Sequence, residues 1–241
     1  MKFSIILNSR ARTTYLHEFL NNIFATTANK SNIEILIRLD DDDFESVNFS
    51  KSIDYPNVRF FYGQKPHSLC GSFNELAFKS NYENIFVCND DMRVLTPNWD
   101  LIAEKTINQY LKNRNISDNI YYCKTECNSM DTDRSKGYCS FPIISKEAVN
   151  TIGFFMYECF VAYGGDSSIY RVYDAIDRVI DLTDIYINHL GHRTRYELDH
   201  GDVIGIEMRN KSFQYSIDPY SLDISKEVEK LRKKINESRK S

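Results

Sequence analysis

Apolar positions in the first hundred residues recur with two periods. Lys2 to Leu7 is a short β-rich run that ends in the polar stretch Asn8-Ser9-Arg10-Ala11-Arg12-Thr13-Thr14. Leu16, Phe19, Leu20, Ile23 and Phe24 then repeat at three- and four-residue steps, the spacing of one helix face. Ile33 to Leu39 is a second β run and stops at Asp40-Asp41-Asp42-Asp43; Val58 to Tyr62 is a third. Ser72 to Ser80 reads as helical, with Phe73, Leu76 and Ala77 on one side. Asn84 to Cys88 is a fourth strand, closed by Asn89-Asp90-Asp91. Strands alternating with helices predict an α/β fold with a mostly parallel, doubly wound sheet and helices on both faces.

The pattern loosens after residue 100. Tyr121 to Cys123 is a short strand, and Gly137 to Ser145 a loop and strand followed by a helix from Lys146 to about Gly153. Gly164-Gly165-Asp166 opens another helical pattern through Ile169, Val172, Tyr173 and Ile176. Val179 to Leu182 and Ile185 to Asn188 are two short β segments leading into His189-Leu190-Gly191-His192. From Ser225 to Ser241 a charged helix carries a thin stripe of Val228, Leu231 and Ile235. No repeat, low-complexity linker or composition shift divides the chain. The expectation is one domain over 1–241, with a first half to 100, a second half over 101–224 and a terminal helix over 225–241.

Composition narrows the classes. With 42% hydrophobic and 27% charged residues the chain has the balance of a soluble globular protein, which excludes a disordered or collagen-like chain. Thirty Lys and Arg against 34 Asp and Glu give a net charge of −4, which argues against nucleic acid as a partner. The apolar start is too short for a signal h-region or a spanning helix. The six cysteines show no paired spacing, and Cys123, Cys127 and Cys139 do not complete a zinc set, so a reducing cytoplasm is the expected compartment. Seven Lys and Arg against three Asp and Glu from Lys226 onward make peripheral membrane contact conceivable, although the apolar stripe is thin for insertion.

Candidate chemistry sits where strands end, because open parallel sheets bind ligands outside their carboxyl edges. Three strand ends bring Arg10 and Arg12, Asp40, and Asp90 and Asp91 to that edge. Cations beside carboxylates suit a phosphate ligand bridged by Mg²⁺ or Mn²⁺. Of the four-aspartate run, Asp40 at the strand end is read as a base or ribose contact and the others as surface, since like charges in a run repel. His189 and His192 are three apart, which lets both reach one metal or phosphate, but alone they also fit an ordinary surface loop. Asp166 is read either as a helix N-cap or, beside two glycines that admit a substrate, as a general base. The P-loop, the Rossmann glycine fingerprint and the nucleophile elbow are all absent.

In order along the chain these features resemble the nucleotide-sugar glycosyltransferases of the GT-A fold, in particular the inverting bacterial "family two" type. Ser4-Ile5-Ile6-Leu7-Asn8-Ser9-Arg10 is similar to the opening strand and its polar loop. Ile35 to Asp40 is similar to the second strand, whose terminal Asp contacts the base. Gly71 and Asn74 resemble the helix before the metal strand, Ile85 to Asp91 that strand with its DxD-type motif, and Leu95-Thr96-Pro97-Asn98-Trp99-Asp100 the segment that follows. Asn89 stands where the motif has its first Asp, so the resemblance leaves the ribose contact to Asn89 or Asp90. It places a catalytic base at Asp166, where Gly165-Asp166 replaces the usual Glu-Asp pair, and a metal-binding histidine at His189.

The resemblance therefore implies a metal-dependent, inverting glycosyltransferase. Asn8, Arg10, Arg12, Asp40, Asn74, Asn89 and Asp90 would hold a nucleotide-sugar, with a UDP-sugar favoured. Asp91, with His189 or His192, would hold Mn²⁺ or Mg²⁺. Asp166 would activate a hydroxyl of a glycan, lipid-linked or protein acceptor. A nucleotidyltransferase is a weaker alternative because residues 8–14 contain neither the glycine nor the lysine of its phosphate loop. A non-catalytic nucleotide-sugar-binding protein of the same fold is the other.

Overall fold

The computed structural model describes residues 1–128, 138–161, 164–190 and 218–240. Among the described residues eight strands form one sheet: β1 (Phe3–Ser9), β2 (Ile33–Asp40), β3 (Val58–Gly63), β4 (Asn84–Val87), β5 (Met92–Val94), β6 (Tyr122–Cys127), β7 (Ile143–Ser145) and β8 (Val179–His189). Their spatial order is β3-β2-β1-β4-β7-β6-β8-β5. The pairs β2–β3, β1–β2, β1–β4 and β6–β8 are parallel, whereas β7 runs antiparallel to both neighbours and β5 antiparallel to β8.

Side-chain alternation explains why both faces are covered. Phe3, Ile5 and Leu7 of β1 and Ile35, Ile37 and Leu39 of β2 point to one face, where α1 (Thr13–Thr26) and α4 (Trp99–Asn113) pack. Ile6 and Leu36 point to the other, under α3 (Leu69–Lys79), α5 (Lys146–Ile152), α6 (Gly165–Asp174) and α7 (Ser225–Ser238). Strands that are apolar on both sides can be buried only between two helical layers. Val228, Leu231 and Ile235 of α7 are part of this second core. The thin stripe of the terminal helix is thus used in packing and is not free to enter a bilayer. Among the described residues no helix is long and apolar enough to cross a membrane.

Several elements differ from the sequence expectation. The two β segments after residue 179 are one strand; a register irregularity opposite Thr125 and Glu126 accounts for the polar break between them. Helix α3 starts at Leu69, three residues early, because the Ser68 hydroxyl accepts the Gly71 N–H at 2.9 Å and caps it. Three elements were not expected: α2 (Phe44–Ser50), β5 and α4. Trp99, Ala103, Ile107 and Leu111 are the buried stripe of α4, at steps of four. Six thiols are free; Cys70, Cys88, Cys123, Cys127 and Cys139 are buried and Cys159 is exposed.

Candidate active site at the carboxyl edge of the sheet

The adjacent strands β2, β1 and β4 end on one cleft. Its walls include Asn8, Arg10, Arg12, Asp40, Asn89, Asp90 and Asp91, so seven of the residues singled out in the sequence converge there. Arg38, Lys65 and Phe73 join them, so the lining holds the cations Arg10, Arg12, Arg38 and Lys65 together with the carboxylates Asp40, Asp90 and Asp91.

Asp40 is buried and clamped between two guanidinium groups. Arg38 Nη1 donates to Asp40 Oδ1 at 2.8 Å, and Arg10 Nη1 donates to Asp40 Oδ2 at 2.8 Å. Arg38 is two residues upstream on the same strand face, and it also bonds Glu75 and the Gln64 carbonyl. Sequence reasoning missed Arg38; its signal was a charge in the middle of the apolar run Ile35 to Leu39. Both polar atoms of the Asn8 side chain are buried and make no hydrogen bond among the described residues.

The reading of Asp43 as a surface carboxylate is corrected. Asp43 is buried, caps α2 by accepting the Ser46 N–H at 3.2 Å, and accepts the Ala11 N–H at 2.7 Å. That second bond holds the loop after β1 in place while Ala11 sits at φ +53°, a left-handed conformation unusual for a residue with a Cβ. Asp41 and Asp42 are exposed, and Arg10 reaches Asp42 as well as Asp40.

Asp90 and Asp91 follow β4 and are both buried. Ser9 Oγ donates to Asp90 Oδ2 at 2.7 Å, and Arg12 Nη1 donates to Asp90 Oδ1 at 3.1 Å. Arg12 also reaches Asp91 Oδ2 through Nη1 at 3.4 Å and Nη2 at 3.3 Å, and its guanidinium lies 4.6 Å from the Tyr15 ring centre. His189 arrives through strand register: β5 pairs antiparallel with β8 so that Met92 faces His189, and the Leu190 N–H donates to the Asp91 carbonyl at 2.8 Å. His189 Nε2 then stands 3.3 Å from Asp91 Oδ1. Burial opposes the charge on Asp91, but His189 and Arg12 outweigh it and hold its carboxyl below the usual carboxylate range.

These residues fit a divalent metal in one particular way. Among the described residues, no three His, Cys, Asp or Glu side chains form a closed metal cage. Asp91 Oδ1, however, accepts no well-formed hydrogen bond there and is beside an imidazole nitrogen. One carboxylate oxygen and one nitrogen are only two protein ligands, so a Mg²⁺ or Mn²⁺ ion held there would need water and substrate phosphate to complete its shell. His192 lies outside the described residues.

Two other expected residues lie elsewhere. Asn74 is no part of the cleft wall: its amide is consumed in a clamp on residues 155–158. Its Oδ1 accepts the Phe155 and Met156 N–H groups at 2.8 and 2.7 Å, and its Nδ2 donates to the Met156 carbonyl and Glu158. Asn74 thus ties α3 to that loop. Asp166 is in the first turn of α6, half-buried, with Oδ1 accepting the Ser167 N–H at 2.8 Å; the N-cap itself is Gly164. The two glycines make room for protein, not substrate. At Gly165 a Cβ would lie 2.5 Å from Cys70 Sγ, and at Gly164, with φ +95°, 2.8 Å from the Phe160 ring.

No sequence-family model and no curated protein sequence matches the chain. Solved structures do. The 1–349 fragment of S. aureus TarS, in complex with UDP-GlcNAc, superposes over 98% of this chain and 72% of its own, with a TM-score of 0.62 and 13% identity. A longer TarS chain matches at TM-score 0.59 and 14% identity over 93% of this chain, which spans 46% of that protein. The mannosyltransferase PcManGT from Pyrobaculum calidifontis, in complex with GDP-Man and Mn²⁺, matches over 100% of this chain and 75% of its own, with a TM-score of 0.59 and 10% identity. The chain therefore has the mixed α/β fold of these glycosyltransferases.

Proposed function

We propose that the chain is a glycosyltransferase that moves a sugar from a nucleoside-diphosphate sugar, a UDP-sugar in the first instance, to a hydroxyl of a glycan, lipid-linked or protein acceptor, with inversion and with Mn²⁺ or Mg²⁺ bound. The observation that carries this reading is the cleft at the ends of β1, β2 and β4, where buried carboxylates and arginines alternate. The fold is that of proteins solved with UDP-GlcNAc, GDP-Man and Mn²⁺, which supports the same ligand class here.

In this reading Asn8 and the Asp40 clamp take the nucleoside, because the buried Asn8 amide, with no hydrogen-bond partner among the described residues, selects a ligand that supplies one. Asn89 and Asp90 take the ribose side. Asp91 and His189 hold the metal, with His192 as the sequence alternative. A bound divalent cation supplies Lewis-acid stabilisation of the leaving diphosphate. Arg12 and Arg10 add positive charge where negative charge develops, the largest source of acceleration in such sites.

Asp166 is the base. It takes the proton of the acceptor hydroxyl as that oxygen attacks the anomeric carbon. The new carbon–oxygen bond forms while the bond to the phosphate oxygen breaks, and the electron pair leaves on the nucleoside diphosphate. Attack opposite the leaving group inverts the centre.

Calorimetric titration with UDP and GDP, with and without Mn²⁺, followed by hydrolysis assays on UDP-, GDP- and dTDP-sugars, tests the proposal. Metal-dependent binding with slow release of the nucleoside diphosphate is the expected result. Binding without any turnover would leave a nucleotide-sugar-binding protein, and no nucleotide binding at all would end the reading.

A further inference from the structure

Arg12 is held against both carboxylates of the pair that the proposed function gives to metal and ribose. Its Nη1 bonds Asp90 Oδ1 and reaches Asp91 Oδ2, where Nη2 joins it, and Tyr15 supports its guanidinium plane. All of these groups are buried or half-buried, so water screens their charges poorly. Asp90, Asp91 and Arg12 together carry a net charge of −1. A dication added at Asp91 Oδ1 would turn that to +1 and set two cations on opposite oxygens of one carboxylate. A diphosphate brought in beside them reverses the balance, since its negative charge attracts both cations and draws the guanidinium from Asp91.

We infer that Arg12 is the resident counter-cation of the Asp90–Asp91 pair and couples two binding events: it opposes a divalent metal while no nucleotide is bound and favours one once a diphosphate is in place. The inference rests on the metal-and-diphosphate reading of this cleft. It makes Arg12 a positioning residue with two partners in turn, carboxylate and phosphate. By linkage, the factor by which nucleotide strengthens metal binding equals the factor by which metal strengthens nucleotide binding.

The test is Mn²⁺ binding to the full chain, read by electron paramagnetic resonance of free Mn²⁺, with and without UDP. For the parent protein, UDP should tighten Mn²⁺ binding about tenfold or more. Arg12→Gln should tighten binding of Mn²⁺ alone about tenfold and reduce the effect of UDP by a similar factor, leaving the part due to the phosphate's own contact with the metal. Arg12→Lys keeps the charge and should stay near the parent for Mn²⁺ alone. Unchanged or weaker binding of Mn²⁺ alone by Arg12→Gln overturns the inference, as does Arg12→Lys behaving like Arg12→Gln. Should Arg12→Gln not fold, the parent measurement decides: a UDP effect below twofold overturns the inference. Failure of the parent to bind Mn²⁺ under any condition removes the metal reading and the inference with it, whereas nucleotide-independent Mn²⁺ binding removes the inference alone.

Discussion

The two edges of the same sheet bury carboxylates in different ways. At the amino edge, Glu34 at the start of β2 accepts from Ser4 Oγ at 2.6 Å, from the Asn81 backbone and side chain, and from Arg59 at 2.7 Å. Asp118 accepts the Ile120 N–H at 2.9 Å and Arg178 Nη2 at 3.1 Å, just before β6 and β8 begin. These carboxylates are answered by donors that join one element to the next. At the carboxyl edge, Asp40, Asp90 and Asp91 are answered chiefly by arginines in a cleft, Asn8 has no partner among the described residues, and Asp91 Oδ1 faces an imidazole. The carboxylates of the amino edge have their bonds made by the fold, whereas at the carboxyl edge Asn8 and Asp91 Oδ1 still have bonds to make among the described residues. Burial alone does not tell the two apart, since Glu34, Asp40 and Asp91 are 6%, 6% and 7% exposed.

Four substitutions or conditions would break or sharpen this contrast. The largest effect is expected at Asp166. Asp166→Asn should bind donor as the parent does and transfer sugar about 10²–10⁴-fold more slowly, as expected for loss of a general base. Transfer at the parental rate in a single-turnover assay would reduce Asp166 to a polar residue in the first turn of α6. Next is Asp91→Ala, which should weaken Mn²⁺-dependent nucleotide binding about 100-fold while leaving the melting temperature nearly unchanged, because Arg12 keeps Asp90. A large fall in melting temperature with intact binding would place Asp91 among the structural carboxylates.

Glu34→Ala should do the reverse. It leaves the Ser4 hydroxyl, the Asn81 N–H and Arg59 without their acceptor, at a cost of about 3 kcal/mol in chemical denaturation, with nucleotide affinity preserved in the folded fraction. Acid titration gives the smallest signal. Burial works against the charge on Glu34, but its hydrogen bonds and Arg59 prevail and hold its pKa below the ordinary value. The unfolded chain therefore binds the proton more readily, so the stabilisation from Glu34 is complete above about pH 4.3 and is lost as pH falls through the folded-state value. Glu34→Gln should flatten the fall in stability over that acid range; an unchanged slope would show that other carboxylates govern it.

Legibility in the sequence followed the same divide. β1, β2 and β4 could be read because Phe3, Ile5, Ile6 and Leu7 and their counterparts are apolar on both faces, a pattern few other elements share. Their polar ends, Asn8 to Arg12, Asp40, and Asn89 to Asp91, then fell at one edge because these strands are neighbours. The position of His189 depended on the three-residue β5, too short to leave a periodic trace, so its register was beyond the sequence. Asp43 looked like one more repelling charge because its partners, the amides of Ala11 and Ser46, are backbone groups that no motif displays. The resemblance sets Asn74 at the donor; its backbone partners at Phe155 and Met156 lie 81 and 82 residues away in the chain, beyond what any local motif displays. The glycines at 164 and 165 signalled close approach correctly, but what approaches is the side chain of Cys70 or Phe160.

The distribution of thiols offers a way to watch the second half of the molecule. Cys159 is exposed and follows Glu158, the residue joined to the Asn74 clamp, whereas the other five thiols are buried. Burial raises the pKa of Cys159 modestly and those of Cys88 and Cys123 far more, so alkylation at mildly alkaline pH should attach a single fluorophore to the unaltered chain. A dye at that position would sit on the loop that Asn74 clamps to α3, so its emission would report changes there separately from events in the cleft, whose lining does not include that loop.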